Sequence, residues 1–164
     1  CDWNAEVEDY GTEFPYKGMF CLEDGITVDD VTLPNNGLEG NLPDEIGLLD
    51  SVAFLGMWQN PGLGGTLPDS IGNMRQLRYL EMHENGLIGQ IPPSFGFLTS
   101  MKTIYLDDNS LSGTIPAEMG ALTELEALFL HKNSIGGTLP PSVGDLTGLQ
   151  QLFLDENELT GDLT

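Results

Sequence analysis

The stretch IYLDDNSLSGTIPAEMG, Ile104 to Gly120, sets apolar side chains at Ile104, Leu106, Leu111 and Ile115 around a single amide, Asn109. The alternation that leads into the amide has the period of a short strand. A lone Asn among residues patterned as core needs a reason, and the rest of the chain supplies one by repetition. Asn36, Asn60, Asn85, Asn109, Asn133 and Asn157 follow one another at 24, 25, 24, 24 and 24 residues. Five residues before each stands an apolar side chain (Val31, Leu55, Leu80, Ile104, Leu128, Leu152), and three before another (Leu33, Met57, Met82, Leu106, Leu130, Leu154). After each Asn the chain reads apolar, any, Gly, any, apolar and, in the first five units, Pro, as in LEGNLP (Leu38–Pro43) and LIGQIP (Leu87–Pro92). The single 25 comes from the extra residue in NPGLGG.

A fixed period of this length marks a stack of identical supersecondary units, none of which can bury its apolar face alone. The strands of successive units then lie parallel, about 4.8 Å apart. Where each strand ends, backbone polar groups turn inward without strand partners, and a buried amide can both donate to and accept from them. The six Asn residues are therefore expected to form a ladder. The glycines serve turns that need an unusual dihedral or a close backbone approach. The prolines fix an extended segment ahead of a short helical turn.

The repeat resembles the plant-type leucine-rich repeat, LxxLxxLxLxxNxLxGxIPxxLGxL, over Val28 to Leu163 in six consecutive units. The resemblance implies an α/β fold: a right-handed solenoid, curved as a horseshoe or superhelix, with a parallel sheet on its concave side. Short 3₁₀ turns would line the convex side, with a second, smaller strand row after each Asn. The segment before it resembles that family's N-terminal Cys cap, with CDWN (Cys1–Asn4) and GMFC (Gly18–Cys21) as its halves and residues 5–17 as an insertion. The expected organisation is a cap over residues 1–27 and repeats over residues 28–164, the last truncated. Both ends read as cuts in a longer polypeptide. The pair Cys1 and Cys21, without CxxC spacing, points to one disulfide and an oxidising, extracellular setting reached through the secretory pathway. No run of apolar residues is long enough to span a membrane, so attachment would come only through regions outside this chain.

Charge narrows the partners. The chain has 26 acidic residues against 5 Lys and Arg, a formal net charge of −21. A phosphate backbone is repelled, which argues against nucleic acid. No Asn-x-Ser/Thr acceptor occurs, so no N-linked glycan is expected.

Strand alternation puts positions six, four and two before each Asn on the outward, concave surface. Those columns hold Phe54, Trp58, Tyr79, Tyr105, Phe129 and Phe153, together with Glu81, His83, Asp107, His131 and Asp155. Core packing does not require aromatics there, whereas contiguous exposed rings anchor interfaces. These eleven residues are the candidate ligand-binding set, for a protein, peptide or glycan bound by a monomer without cofactor or catalysis. In the column His83, Asp107, His131 and Asp155, the pairs His83–Asp107 and His131–Asp155 have the spacing to share hydrogen bonds more readily than a metal, and no metal site is expected. Lys102 and Arg78 share a row at the edge of the trough. No nucleophile with an oxyanion hole accompanies the histidines. Two other readings fit the repeat: a structural or surface-adsorbing protein (adhesion, matrix or ice-binding-like), for which Thr66, Thr114 and Thr138 share one position interrupted by Asn41, Gln90 and Asp162, and an inhibitor of a secreted hydrolase.

Overall fold

The computed structural model describes residues 18–21 and 28–161. The Cys1–Cys21 pairing and the insertion at residues 5–17 lie outside the described residues. The rest is a coil of near-identical turns, each made of a concave strand, a second strand and a 3₁₀ turn. The concave strands are β1 (Gly18–Cys21), β2 (Val28–Thr32), β4 (Phe54–Gly56), β6 (Tyr79–Glu81), β8 (Thr103–Tyr105), β10 (Ala127–Phe129) and β12 (Gln151–Phe153). The second row is β3 (Glu39–Asn41), β5 (Gly62–Thr66), β7 (Gly86–Gln90), β9 (Ser110–Gly113), β11 (Ser134–Gly137) and β13 (Glu158–Leu159). Each row is one sheet, and every neighbour in it is parallel except β1, which pairs antiparallel with β2 at the edge. That antiparallel cover strand is not legible in the 24-residue period, because it lies before the period begins.

The 3₁₀ turns run over Asp44–Leu48, Asp69–Asn73, Pro93–Phe97, Ala117–Ala121 and Pro141–Asp145. Each starts after a proline, Pro43, Pro68, Pro92, Pro116 or Pro140, whose φ lies between −77° and −63°. The ring holds that residue extended, where it need not donate an N–H, and hands the chain to the turn. Stacking of these turns leaves no space for a side chain at the glycines of the first four. A Cβ on Gly96 would lie 2.6 Å from the Glu118 carbonyl oxygen of the next unit. A glycine within the second strands has another reason: at Gly113, φ is +75°, a region that L side chains rarely enter.

Between the two sheets and the turns runs one continuous apolar column. Leu55, Leu80, Ile104 and Leu128 are its concave-strand row, with Met57, Met82, Leu106 and Leu130 beside them. Burial is complete in the middle units and lapses at the last, where Leu152 is 37% exposed.

The asparagines sit where this column meets the turn. Asn60, with no exposed surface, makes five hydrogen bonds. Its Oδ1 accepts from the N–H groups of Asn36 (2.8 Å) and Leu38 (3.1 Å) in the preceding unit. Its Nδ2 donates to Leu33 O there (3.0 Å) and to Met57 O (2.9 Å) and Trp58 O (3.1 Å) in its own. Asn109 repeats the arrangement with Leu87 N, Met82 O, Leu106 O and Asp107 O. Asn85, Asn133 and Asn157 do so with their counterparts. Asn36 departs from the expectation of six equal rungs: it is exposed, and the ladder reaches it only through its backbone N–H.

One consequence of the turn escapes sequence reading. The residue before each Asn, Asn35, Gln59, Glu84, Asp108, Lys132 or Glu156, has φ between 43° and 58°. Left-handed backbone at a non-glycine residue costs about 1 kcal/mol. It persists in every unit because the amide bonds and the stacked neighbours hold both flanks.

The ladder sets a graded expectation for stability. Asn60→Ala removes five hydrogen bonds and strands Asn36 N, Leu38 N and Leu33 O in or near the core, so it should cost about 3 kcal/mol or more in urea unfolding, whereas Asn36→Ala should cost under about 0.5 kcal/mol. Equal losses at the two positions would contradict the assigned roles.

Candidate functional site

The concave face is ordered by register. Adjacent strands pair Thr32, Gly56, Glu81, Tyr105, Phe129 and Phe153 in one row, and Asp30, Phe54, Tyr79, Thr103, Ala127 and Gln151 in the next. Toward the last described unit the aromatics stack along a row. Tyr105 meets Phe129 edge-on, centroids 4.5 Å apart, and Phe129 stacks on Phe153 at 4.6 Å. Phe153 is 44% exposed and Tyr79 38% exposed, while Tyr105 and Phe129 are half-buried. Phe54 and Tyr79 lie 6.0 Å apart at the other end of the face.

Trp58 does not present the exposed anchor expected of it. It is only 8% exposed and lies parallel to His83, with ring centroids 5.8 Å apart. The cause is Gly56, two residues earlier on the same face. A Cβ there would stand 2.6 Å from both the Phe54 and the Trp58 rings. The two rings fold into the hole the glycine leaves and cover one another.

The histidine column also pairs differently from expectation. His131 Nε2 approaches Asp107 Oδ2 at 3.6 Å, so the imidazole leans toward the preceding unit and not toward Asp155. His83 is held by Trp58 and by the edge of Tyr105 at 6.1 Å. Asp107, Asp108 and His131 bring one donor atom each within 4.8 Å of one another. Lys132 Nζ already stands 3.1 Å from Asp108 Oδ2, so a cation there would compete with an ammonium. Lys102, at the edge of the trough, is bonded to Glu126 at 2.9 Å. Both pairs are exposed and contribute little to stability.

The face withdraws charge from water with few countercharges. Burial, and then the charge of Asp30, raises the Glu81 carboxyl above its ordinary value. Burial raises Asp30 too, against the hydroxyl bond from Thr32 Oγ1. Asp107 is raised by burial, partly offset by hydrogen bonding and the two imidazoles. Burial lowers His83 despite Asp107. The Tyr105 hydroxyl is raised by burial and then by Glu81 and Asp107. Desolvation is the first cause in all five, the physical mark of polar groups held between rings.

Two open grooves lie off the aromatic row. One, of about 580 Å³, follows the strand ends past Asn35, Gln59, Glu84 and Asp108. The other, of about 440 Å³, lies beside Gln90, Thr114 and Thr138 on the second sheet. There Asn41, Thr66, Gln90, Thr114 and Thr138 are all exposed at one repeat position.

The model of the Leucine Rich Repeat family matches residues 76–98, 100–122 and 124–146. Among solved structures, the chain is similar to the ectodomain of the Arabidopsis thaliana membrane receptor kinase GASSHO1/SCHENGEN3, solved in complex with CASPARIAN STRIP INTEGRITY FACTOR 2. The identity is 30% and the TM-score 0.85, covering 96% of this chain and 18% of that one. It is similar to PEPR1, solved with AtPEP1, at 36% identity and TM-score 0.78, over 82% of this chain and 19% of that one. It is also similar to a plant ice-binding protein at 25% identity and TM-score 0.79, over 93% and 51%. The chain thus spans about a fifth of the length of the GASSHO1/SCHENGEN3 and PEPR1 chains. No curated protein sequence matches it.

Glu81 offers a check on the electrostatics. Glu81→Gln keeps the shape of the neutral acid, so at pH 7 it should melt at a higher temperature than the parent chain. The folded parent holds this proton to higher pH than the unfolded chain does. It therefore gains stability as pH falls through the raised folded value, and the gap should close below the ordinary value of 4.5. A gap that ignores pH, or a less stable variant at pH 7, would contradict the assignment.

Proposed function

Because the chain is a leucine-rich repeat protein of the plant type, we propose that it is an extracellular recognition module whose concave face binds a peptide or protein segment without catalysis. The observation that carries this reading is the row Tyr105–Phe129–Phe153, rings 4.5 and 4.6 Å apart, standing on the solvent face of a parallel sheet whose core is already complete on its other side. Cohesion of the sheet needs cross-strand pairs, but not a solvent-facing aromatic run of this length. Rings of this kind supply large contact area at low entropic cost, and Glu81, His83, Asp107, His131 and Asp155 beside them supply direction. Trp58 acts in this scheme as a buried support for His83 and not as a contact. Similarity to a plant peptide hormone receptor, RGFR1 in complex with RGF2, and to the HAESA ectodomain in complex with an IDA peptide hormone favours a peptide over a glycan.

A second reading rests on the other sheet. Asn41, Thr66, Gln90, Thr114 and Thr138 form an exposed, uncharged row on a chain of net charge −21, and one similar structure is a plant ice-binding protein. On that reading the regular array adsorbs to a surface, and thermal hysteresis activity that falls in Thr114→Tyr would mark it.

An array of peptides and glycans separates the two. Peptides should be captured, and Phe129→Ala should weaken the best of them by about thirtyfold, the loss expected of an aromatic anchor. Ile88→Ala on the second sheet should change binding less than about twofold. Peptide binding indifferent to Phe129 would overturn the concave-face reading.

A further inference from the structure

Glu81 sits at the centre of the concave face in unusual company. Its row neighbours are Gly56 and Tyr105. Tyr79 and His83 flank it two residues away on its own strand and the turn that follows. The hole at Gly56 is closed by the rings of Phe54 and Trp58. Two runs of rings lie on these strands, Phe54–Tyr79 at 6.0 Å and Trp58–His83–Tyr105 at 5.8 and 6.1 Å. The carboxylate itself is half-buried and takes part in no hydrogen bond or ion pair among the described residues. Both lysines among them, Lys102 and Lys132, are bound elsewhere, and Arg75 lies over Phe97, 5.6 Å from its centroid. A half-buried acid without a partner is costly unless something supplies the countercharge.

We infer that Glu81 and the rings of Phe54, Tyr79, His83 and Tyr105 form a subsite for the guanidinium of an arginine side chain presented by the ligand. This deepens the concave-face reading and rests on it for the ligand's being a peptide. A guanidinium is planar, more weakly hydrated than an ammonium, stacks on aromatic faces and meets a carboxylate through two parallel N–H donors. The surrounding rings supply the faces, and Glu81 supplies the acceptor. Asp30, whose charge Glu81 feels across Gly56, adds to the field that draws a cation inward.

The test is a titration with N-acetyl-arginine N-methylamide, its neutral citrulline counterpart and the lysine analogue, read from the NMR signals of the Trp58, Tyr79 and Tyr105 rings. The arginine compound should shift these signals saturably and bind at least about tenfold tighter than citrulline, the margin of a charge-assisted bond, with lysine between them. Glu81→Gln, with its fold verified by an unchanged ring–ring contact pattern, should abolish the preference. Equal binding of arginine and citrulline, a preference that survives Glu81→Gln, or a stronger response to lysine would each overturn the assignment. The outcomes separate from those of the peptide array. An arginine preference that depends on Glu81, with peptide binding indifferent to Phe129, leaves the subsite standing and removes the wider reading. Peptides that need Phe129 but accept citrulline remove the subsite alone.

Discussion

The side-chain amide that bridges each unit to the one before it is the constraint on which this molecule depends. Asn109 Nδ2 donates to Met82 O of the preceding unit and to Leu106 O and Asp107 O of its own, and Asn109 Oδ1 accepts from Leu87 N. No other uncharged side chain of that length offers two donors and an acceptor from one branch point. Hydrophobic burial supplies the driving force for the stack, but it is not directional. The amides, with the interstrand backbone bonds that run past each strand end into the turn, such as Gln59 N to His83 O at 3.1 Å, fix which residue faces which. They also hold the left-handed residue before each Asn, whose conformation would not survive in an isolated turn.

Once register is fixed, the concave surface follows. A position chosen once per unit becomes a row, and a row of rings becomes a surface. The same geometry concentrates carboxylates that a scattered arrangement would leave in water. Burial raises Asp30, Glu81 and Asp107 and lowers His83 for one reason, the loss of solvent around the charged form. The face is thus both apolar and poorly neutralised, which suits it to a partner that brings a positive charge and flat apolar area together.

Much of this is readable from the chain. The interval between asparagines and the apolar positions three and five before them contain the strands, their parallel order and which side chains turn outward. Local packing between non-equivalent positions is not readable in the same way. Trp58 stands in an outward column, yet its fate was decided by Gly56, which left a hole that two rings filled. His131 chose Asp107 in the preceding unit over Asp155 in the following one, a matter of side-chain lean that a strict column does not encode. Asn36 carries the motif, yet among the described residues its side chain makes no rung. The column before each Asn held a signal that alternation alone passes over: six different side chains at a place where the backbone adopts one uncommon conformation. The sheet pattern treats that position as outward-facing and says nothing of its φ.

The central claim is that residues about 24 positions apart lie against one another in rows. A nuclear Overhauser experiment on the aromatic rings tests it without reference to any ligand. Strong cross-peaks are expected between Tyr105 and Phe129 and between Phe129 and Phe153, whose centroids lie 4.5 and 4.6 Å apart. Absence of both, with the Phe129 ring in contact instead with buried core side chains such as Met82 or Leu111, would contradict it.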